Sequence, residues 1–211
     1  MKKLLLTFLC AAMLLSLCAC ESKTSVKDYN VTKIDGYVLE ESETPTNYVR
    51  IVMEDGSAML LELYPDIAPI TVQNFKGLVS DKYYDGIVFH RIMSGFMIQG
   101  GDPDGDGYSN GDRPTIKGEF AYNGFVNNLS HERGVISMAR STAYNSASTQ
   151  FFIMHKTNTS LDGQYAAFGK LLAGYDTLDK LAAWKVNGDR AIDPPVMKTV
   201  RFVNILSGGE K

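Results

Sequence analysis

The sequence predicts a mainly β protein, built as a closed β-barrel with helical caps. Many short strand-like stretches follow one another, separated by loops rich in glycine and asparagine, and two stretches have helical periodicity. Many short strands with few helices are typical of a closed barrel, which leaves no strand edge unpaired. With 211 residues and 45% hydrophobic content, the chain can form one sizeable core.

The first globular elements are predicted to be a hairpin and a helix. Apolar stretches at 48–53 and 58–63 flank Asp55-Gly56, a dipeptide typical of hairpin turns. Pro69 opens the helix, because its fixed φ and missing N–H suit a first turn. One face of this helix is apolar: Val72, Phe75, Leu78 and Val79.

The elements that follow are mostly strands. We predict strands over 87–93, 96–99, 134–139, 150–154 and 166–171. A second helix is expected from Thr177 to Trp184, and the last strand from Lys198 to Leu206.

The first twenty residues resemble a bacterial lipoprotein signal. Lys2 and Lys3 precede an apolar run that is short for a membrane-spanning helix. The run ends in Leu17-Cys18-Ala19-Cys20, which is similar to a lipobox, although Cys18 departs from the usual small residue. We therefore expect a signal peptide over 1–19 and lipidation of Cys20. An uncleaved anchor and plain secretion are the alternatives.

The cysteine pattern favours the lipid interpretation. The chain's cysteines, Cys10, Cys18 and Cys20, all lie in this segment, so cleavage before Cys20 leaves no partner for a disulfide. The expected location is extracytoplasmic, with the protein lipid-anchored to the bacterial cell membrane. The polar residues 20–47 are interpreted as a tether with one short strand at 37–39. Residues 48–207 then form the folded domain and 208–211 a tail.

Several function classes are excluded by composition and motif. The net charge of -3 and the lack of a Lys/Arg run argue against nucleic acid binding. The stretch 102–107 resembles the start of an EF-hand loop, but its twelfth position would be Arg113 instead of an acid. The histidines have no metal-like spacing, and nucleophile-elbow and phosphate-binding glycine motifs are missing. No metal or cofactor is expected.

Two strand segments each pair an amide with an apolar side chain. Met97 and Gln99 are two residues apart and share a face of a strand, and so do Gln150 and Phe152. Such pairs suit a shallow groove that binds a peptide backbone together with a small ring. Taken alone, each pair also fits an ordinary amphipathic strand.

Four longer motifs resemble the cyclophilin family of peptidyl-prolyl cis/trans isomerases. They are FHRIMSGFMIQGGD, GVISMA, SASTQFFI and LDGQYAAFGK, in this order, within a resemblance that covers about Val49 to Leu206. The resemblance implies an eight-stranded antiparallel barrel capped by two helices. It also implies binding of proline-containing segments of client proteins. We expect a monomer, and we expect its clients to be exported or surface proteins whose folding it assists. A non-catalytic binding or chaperone module on this fold is the alternative.

The resemblance also assigns roles to individual residues. Arg91 matches the catalytic arginine, and Gln99 and Gln150 match residues that hydrogen-bond the substrate backbone or that arginine. Ala139 and Arg140 match a segment that contacts the residues before the proline, largely through main chain. The expected walls of the proline pocket are Phe96, Met97, Phe152 and Leu161. His90 is interpreted as structural.

Two positions depart from many eukaryotic cyclophilins. Ser160 stands where they have a tryptophan, and Tyr165 where they have a histidine that lines the pocket. Tyr165 still supplies a flat wall and a hydroxyl. The missing tryptophan removes a large contact surface and an indole N–H donor. We therefore expect weakened sensitivity to cyclosporin, whose binding that tryptophan supports in the family.

Overall fold

The computed structural model describes residues 31–209 as one antiparallel sheet with two helices. The predicted signal peptide, Cys20 and the last two residues lie outside the described residues. The strands are β1 (Val31–Ile34), β2 (Tyr37–Glu41), β3 (Tyr48–Met53), β4 (Ala58–Leu63), β5 (Arg91–Met93), β6 (Met97–Gly100), β7 (Val135–Met138), β8 (Phe151–Met154), β9 (Ala167–Ala173), β10 (Val186–Asn187), β11 (Arg190–Ala191) and β12 (Met197–Ser207). The helices are α1 (Pro69–Ser80) and α2 (Tyr175–Ala182).

The sheet has twelve strands in the order β1-β2-β12-β3-β4-β9-β7-β8-β6-β5-β11-β10. Its described ladder therefore ends at β1 and β10, and the expected closed eight-stranded barrel is not confirmed. The segment just before β5 does approach the start of β12, because Gly86 N donates to Met197 O and Phe89 N to Pro195 O. The β-bridge between them, Val88 to Val196, is isolated, so these hydrogen bonds do not form a regular ladder.

The first two strands correct the predicted tether. β1 and β2 form a hairpin, and β2 continues the sheet by pairing with β12. Leu39 is fully buried against Leu60 and Val203. The tether prediction is therefore wrong for residues 31–41, although the short strand expected at 37–39 lies inside β2. The other proposed chain divisions stay predictions.

The helices and the core agree with the apolar periodicity. α1 begins at Pro69 as predicted, and its buried face includes Val72, Phe75, Leu78 and Val79. α2 begins two residues before the expected Thr177 and ends at Ala182. Phe75 lies at the centre of the core, with its ring 5.2 to 5.6 Å from the rings of Tyr84, Phe151 and Phe168. Within residues 31–209, neither helix is long and apolar enough to cross a membrane.

Candidate active site

A groove of about 580 Å³ lies beside β5, β6 and β8. It is lined by the predicted site residues Arg91, Phe96, Met97, Gln99, Ala139, Arg140, Phe152, Leu161 and Tyr165. Gln150, the remaining predicted site residue of the domain, lines an adjoining cavity of about 430 Å³ instead. The structure thus brings together residues that are widely separated in sequence, while their individual roles stay predictions.

Arg91 begins β5 and faces Gln99 across the β5–β6 pair. Its Nη1 donates to Gln99 Oε1 at 3.2 Å, and its Nε donates to Asp189 Oδ2 at 2.7 Å. The remaining nitrogen, Nη2, lies 3.2 Å from Met93 Sδ, a weak acceptor. The guanidinium is therefore held from two elements, and its Nη2 is the nitrogen least committed to the protein.

The two glutamines extend this arrangement away from Arg91. Gln99 Nε2 donates to Gln150 Oε1 at 2.9 Å, which also orients the Gln99 amide with its oxygen toward Arg91. Gln150 Nε2 in turn donates to the carbonyls of Gly107 and Ser109 at 3.2 and 3.0 Å. The chain of hydrogen bonds thus runs from the guanidinium to the main chain of the 101–113 loop.

The apolar part of the groove rests on a small separate cluster. Met97 and Phe152 are buried in it with Val135, Met154 and Ala167, and the partly buried Phe96, Leu161 and Tyr165 pack against it. The Tyr165 ring stands edge-on to the Phe152 ring at 5.7 Å. These side chains form an apolar surface in the groove that contains Arg91.

His131 supports the Phe152 wall from inside the protein. The two rings stack with centroids 6.0 Å apart. His131 is buried between Asp162 Oδ1, 2.8 Å from Nδ1, and Ser137 Oγ, 3.0 Å from Nε2. Burial lowers the pKa of His131 despite the opposing effect of the Asp162 carboxylate. A neutral ring therefore lies under the groove.

Arg140 joins two loops at the edge of the groove. Its guanidinium lies 4.7 Å from the Tyr165 ring centroid, 5.0 Å from that of Phe120 and 5.1 Å from that of Tyr144. Its Nε and Nη2 both donate to the Gln164 carbonyl, at 3.0 and 2.8 Å. The resemblance implied a main-chain role for this segment, and the side chain adds a contact that orients Tyr165.

Comparisons with known proteins agree with this geometry. The family model "Cyclophilin type peptidyl-prolyl cis-trans isomerase/CLD" matches residues 48–203. The chain belongs to the cyclophilin-type peptidyl-prolyl cis/trans isomerase family. Peptidyl-prolyl cis-trans isomerase B of Bacillus subtilis is 39% identical over 150 residues, which cover 71% of this chain and 94% of that protein. A probable isomerase of Brucella suis is 40% identical, with coverage of 65% and 72%.

Solved cyclophilin structures are also similar to this chain. A cyclophilin of Cryptosporidium parvum, solved in the presence of the dipeptide Ala-Pro, has a TM-score of 0.66 and 31% identity, covering 76% of this chain and 99% of that one. A cyclophilin of Hirschia baltica has a TM-score of 0.62 and 25% identity, with coverage of 77% and 75%. The cyclophilin-like fold and the isomerase class are therefore shown for this chain.

Some lining residues of this cyclophilin groove were missed by sequence reasoning. Asp189 lies in the turn between β10 and β11, and Arg190 is the first residue of β11. Asp106 and Tyr108 come from the 101–113 loop. Strands of two residues have no periodicity to detect, so only the turn dipeptide Asn187-Gly188 marked this region. No local signal indicated that it lies beside Arg91.

His90 remains a buried group without an identified role. Its side chain lines the groove wall, and neither ring nitrogen has a hydrogen-bond partner within the part of the chain that the structure describes. Burial lowers its pKa, against the attraction of Asp102. The structural interpretation of His90 therefore stays a prediction.

Proposed function

We propose that this cyclophilin catalyses X-Pro isomerisation through Arg91, as a monomer acting on exported or surface proteins. Held to the cell membrane by a lipid on Cys20, it would assist the folding of those proteins outside the cytoplasm. The isomerase class follows from the family. The residue roles, the clients and the anchor are the proposed part.

The reaction requires rotation about a bond with partial double-bond character. The barrier is about 18–20 kcal/mol, and uncatalysed exchange takes tens to hundreds of seconds. No covalent bond changes partners, so catalysis requires only that the twisted amide be favoured over both planar forms. Twisting localises the lone pair on the proline nitrogen, which then becomes a hydrogen-bond acceptor.

Arg91 is the donor proposed for that nitrogen. An arginine stays charged at every relevant pH. Its planar guanidinium loses little conformational entropy when neighbouring acceptors hydrogen-bond to it. A charged donor beside the nitrogen stabilises the twisted amide more than either ground state, because only the twisted state has the free lone pair. The observation that carries the proposal is the guanidinium held by Gln99 and Asp189 beside an apolar surface.

The apolar side chains are proposed to hold the proline ring. Phe96, Met97, Phe152, Leu161 and Tyr165 all line the groove that contains Arg91. A ring fixed there cannot follow the rotation, so the residue before the proline turns instead. The Cryptosporidium parvum cyclophilin was solved in the presence of Ala-Pro, and this likeness supports proline-containing segments as the ligands here. Ala139 and Arg140 would then meet the residues before the proline.

A prolyl-peptide isomerisation assay tests the role of Arg91. The full-length chain, purified in detergent, is compared with Arg91→Ala and with a control, Arg113→Ala, whose side chain pairs with Asp81 away from the groove. Loss of one preorganised electrostatic donor should lower kcat about 10²–10³-fold in Arg91→Ala only. Turnover near that of the parent would remove Arg91 from the mechanism. An inactive parent that still binds prolyl peptides would favour the alternative, a non-catalytic binding or chaperone module.

The anchor is tested separately in cells. Cys20→Ala should abolish fatty-acid labelling and release the protein from the membrane, because it removes the proposed acylation site. A control, Cys10→Ala, should remain labelled, since Cys10 lies within the segment expected to be removed. Labelling that persists in Cys20→Ala would contradict the lipobox interpretation.

A further inference from the structure

Asp189 is fixed beside the catalytic candidate by its own main chain. It lies in the turn that joins β10 and β11, and Arg190 of β11 pairs with Arg91 of β5. Ile92 N donates to the Asp189 carbonyl at 2.8 Å. The turn is therefore hydrogen-bonded to the strand that carries Arg91, and this places the Asp189 carboxylate beside the guanidinium.

The Asp189 carboxylate restrains a part of Arg91 that Gln99 does not. Gln99 accepts from Nη1 at 3.2 Å, whereas Asp189 accepts from Nε at 2.7 Å. Two acceptors on different nitrogens fix the plane of the guanidinium, whereas with a single acceptor the guanidinium can still rotate about that one hydrogen bond. The Asp189 bond is also the shorter of the two, as expected when both partners are charged. Hydrogen bonding to Arg91 lowers the pKa of Asp189, so the carboxylate is ionised at neutral pH.

We propose that Asp189 is a positioning residue that orients Arg91 toward the substrate. Asp189 does not touch the reacting atoms itself. It holds Nε and so leaves for the substrate Nη2, whose one hydrogen-bond contact within residues 31–209 is Met93 Sδ. This inference rests on the proposed role of Arg91 in the isomerisation. The proposed positioning residue lies in the β10–β11 turn, outside the four cyclophilin motifs of the sequence.

The test separates placement from charge. Asp189→Ala removes the acceptor, Asp189→Asn keeps an acceptor oxygen without charge, and Asp66→Ala removes an exposed acid outside the groove. The kcat and KM of each full-length variant are measured with a prolyl peptide. Asp189→Ala should lower kcat about tenfold with KM within twofold, since Gln99 still restrains the group and small misplacements of a catalytic donor are costly. The kcat values of Asp189→Asn and Asp66→Ala should stay within about threefold of that of the parent.

Unchanged kcat in Asp189→Ala would overturn the proposal, and so would an equal loss in Asp189→Asn. A second readout does not depend on turnover. The Arg91 Nε–H proton, identified by its absence from the spectrum of Arg91→Ala, is followed by nitrogen-15 NMR. It should be protected from solvent exchange in the parent and in Asp189→Asn, and lose that protection in Asp189→Ala. Protection that persists in Asp189→Ala would refute the positioning role even if the groove proves inactive.

Discussion

Arg140 and Tyr165 are predicted to maintain one wall of the groove together. The Arg140 guanidinium lies 4.7 Å from the centre of the Tyr165 ring and donates two hydrogen bonds to the neighbouring Gln164 carbonyl. Truncating Arg140 leaves the ring without its cation and the carbonyl without its donor. The segment that carries Tyr165 should then become more mobile, and the groove should bind a proline ring more weakly.

The magnitude follows from the partial burial of the pair. A cation–π contact contributes about 0.5–1 kcal/mol at exposed sites and about 2 kcal/mol when desolvated. Arg140 and Tyr165 are both half-buried, so their coupling should be about 1 kcal/mol. Because a factor of ten in affinity corresponds to about 1.4 kcal/mol, Arg140→Ala should raise KM about fivefold. The kcat should change less, since neither side chain contacts Arg91 directly.

A double-mutant cycle measures this coupling. The KM for a prolyl peptide is determined for the parent, Arg140→Ala, Tyr165→Leu and the double variant. The control Tyr165→Phe keeps the ring and should retain a KM close to that of the parent. Strictly additive single effects would refute the cation–π argument. A Tyr165→Phe variant as impaired as Tyr165→Leu would assign the effect to the hydroxyl instead.

The other predictions concern the support of the groove and its inhibitor. Phe152→Ala should lower the free energy of unfolding by about 3–5 kcal/mol in urea, because it leaves a cavity beside His131; a loss below 1 kcal/mol would contradict close packing there. Since burial lowers the pKa of His131, the unfolded chain binds the proton more readily, and the free energy of unfolding should fall as the pH drops below 6.5. The slope contributed by this group is at most about 1.4 kcal/mol per pH unit, and His131→Gln should remove it; an unaltered slope would exclude His131 as its source. Gly101→Ala should cost at least about 2 kcal/mol in thermal unfolding, because φ is +90° and the added Cβ would lie 2.4 Å from the Thr149 carbonyl oxygen, whereas Gly124→Ala, at φ +74° in open space, should cost less. Cyclosporin should bind weakly in a calorimetric titration and more tightly to Ser160→Trp, and tight binding by the parent would show that the tryptophan is dispensable.

The predicted strand at 96–99 differs from β6 by one residue at each end. Met97 and Gln99, two residues apart, both line the groove as their shared face requires. The predicted strand at 87–93 is shorter in the structure, because residues 87–89 meet the start of β12 through an isolated bridge and a few backbone hydrogen bonds, without a regular ladder. Local alternation indicates which residues are extended, but it does not choose the partner for their hydrogen bonds.

The N-terminal hairpin was missed for a related reason. Its composition is polar, and the sequence offers one clearly strand-like stretch at 37–39. Pairing of β2 with β12 and burial of Leu39 against Leu60 supply the stabilisation. Asp35 also accepts a hydrogen bond from Gly174 N at 2.6 Å, which joins the hairpin turn to the start of α2. The β2–β12 pairing and the Asp35–Gly174 bond join residues more than a hundred positions apart, so they leave no local pattern.

The sequence by itself determined the two helices, most strand positions and, through its four motifs, the family and the candidate residues of the groove. These features depend on local periodicity, on turn chemistry and on long motifs that match in register. Tertiary structure alone decided the open twelve-strand order and the placement of Asp189, 2.7 Å from Arg91 although far from it in the chain. It also decided the contact of Arg140 with Tyr165. Side-chain contacts of this kind depend on which strands and loops become neighbours, and that choice is made by burial over the whole chain rather than by any one segment.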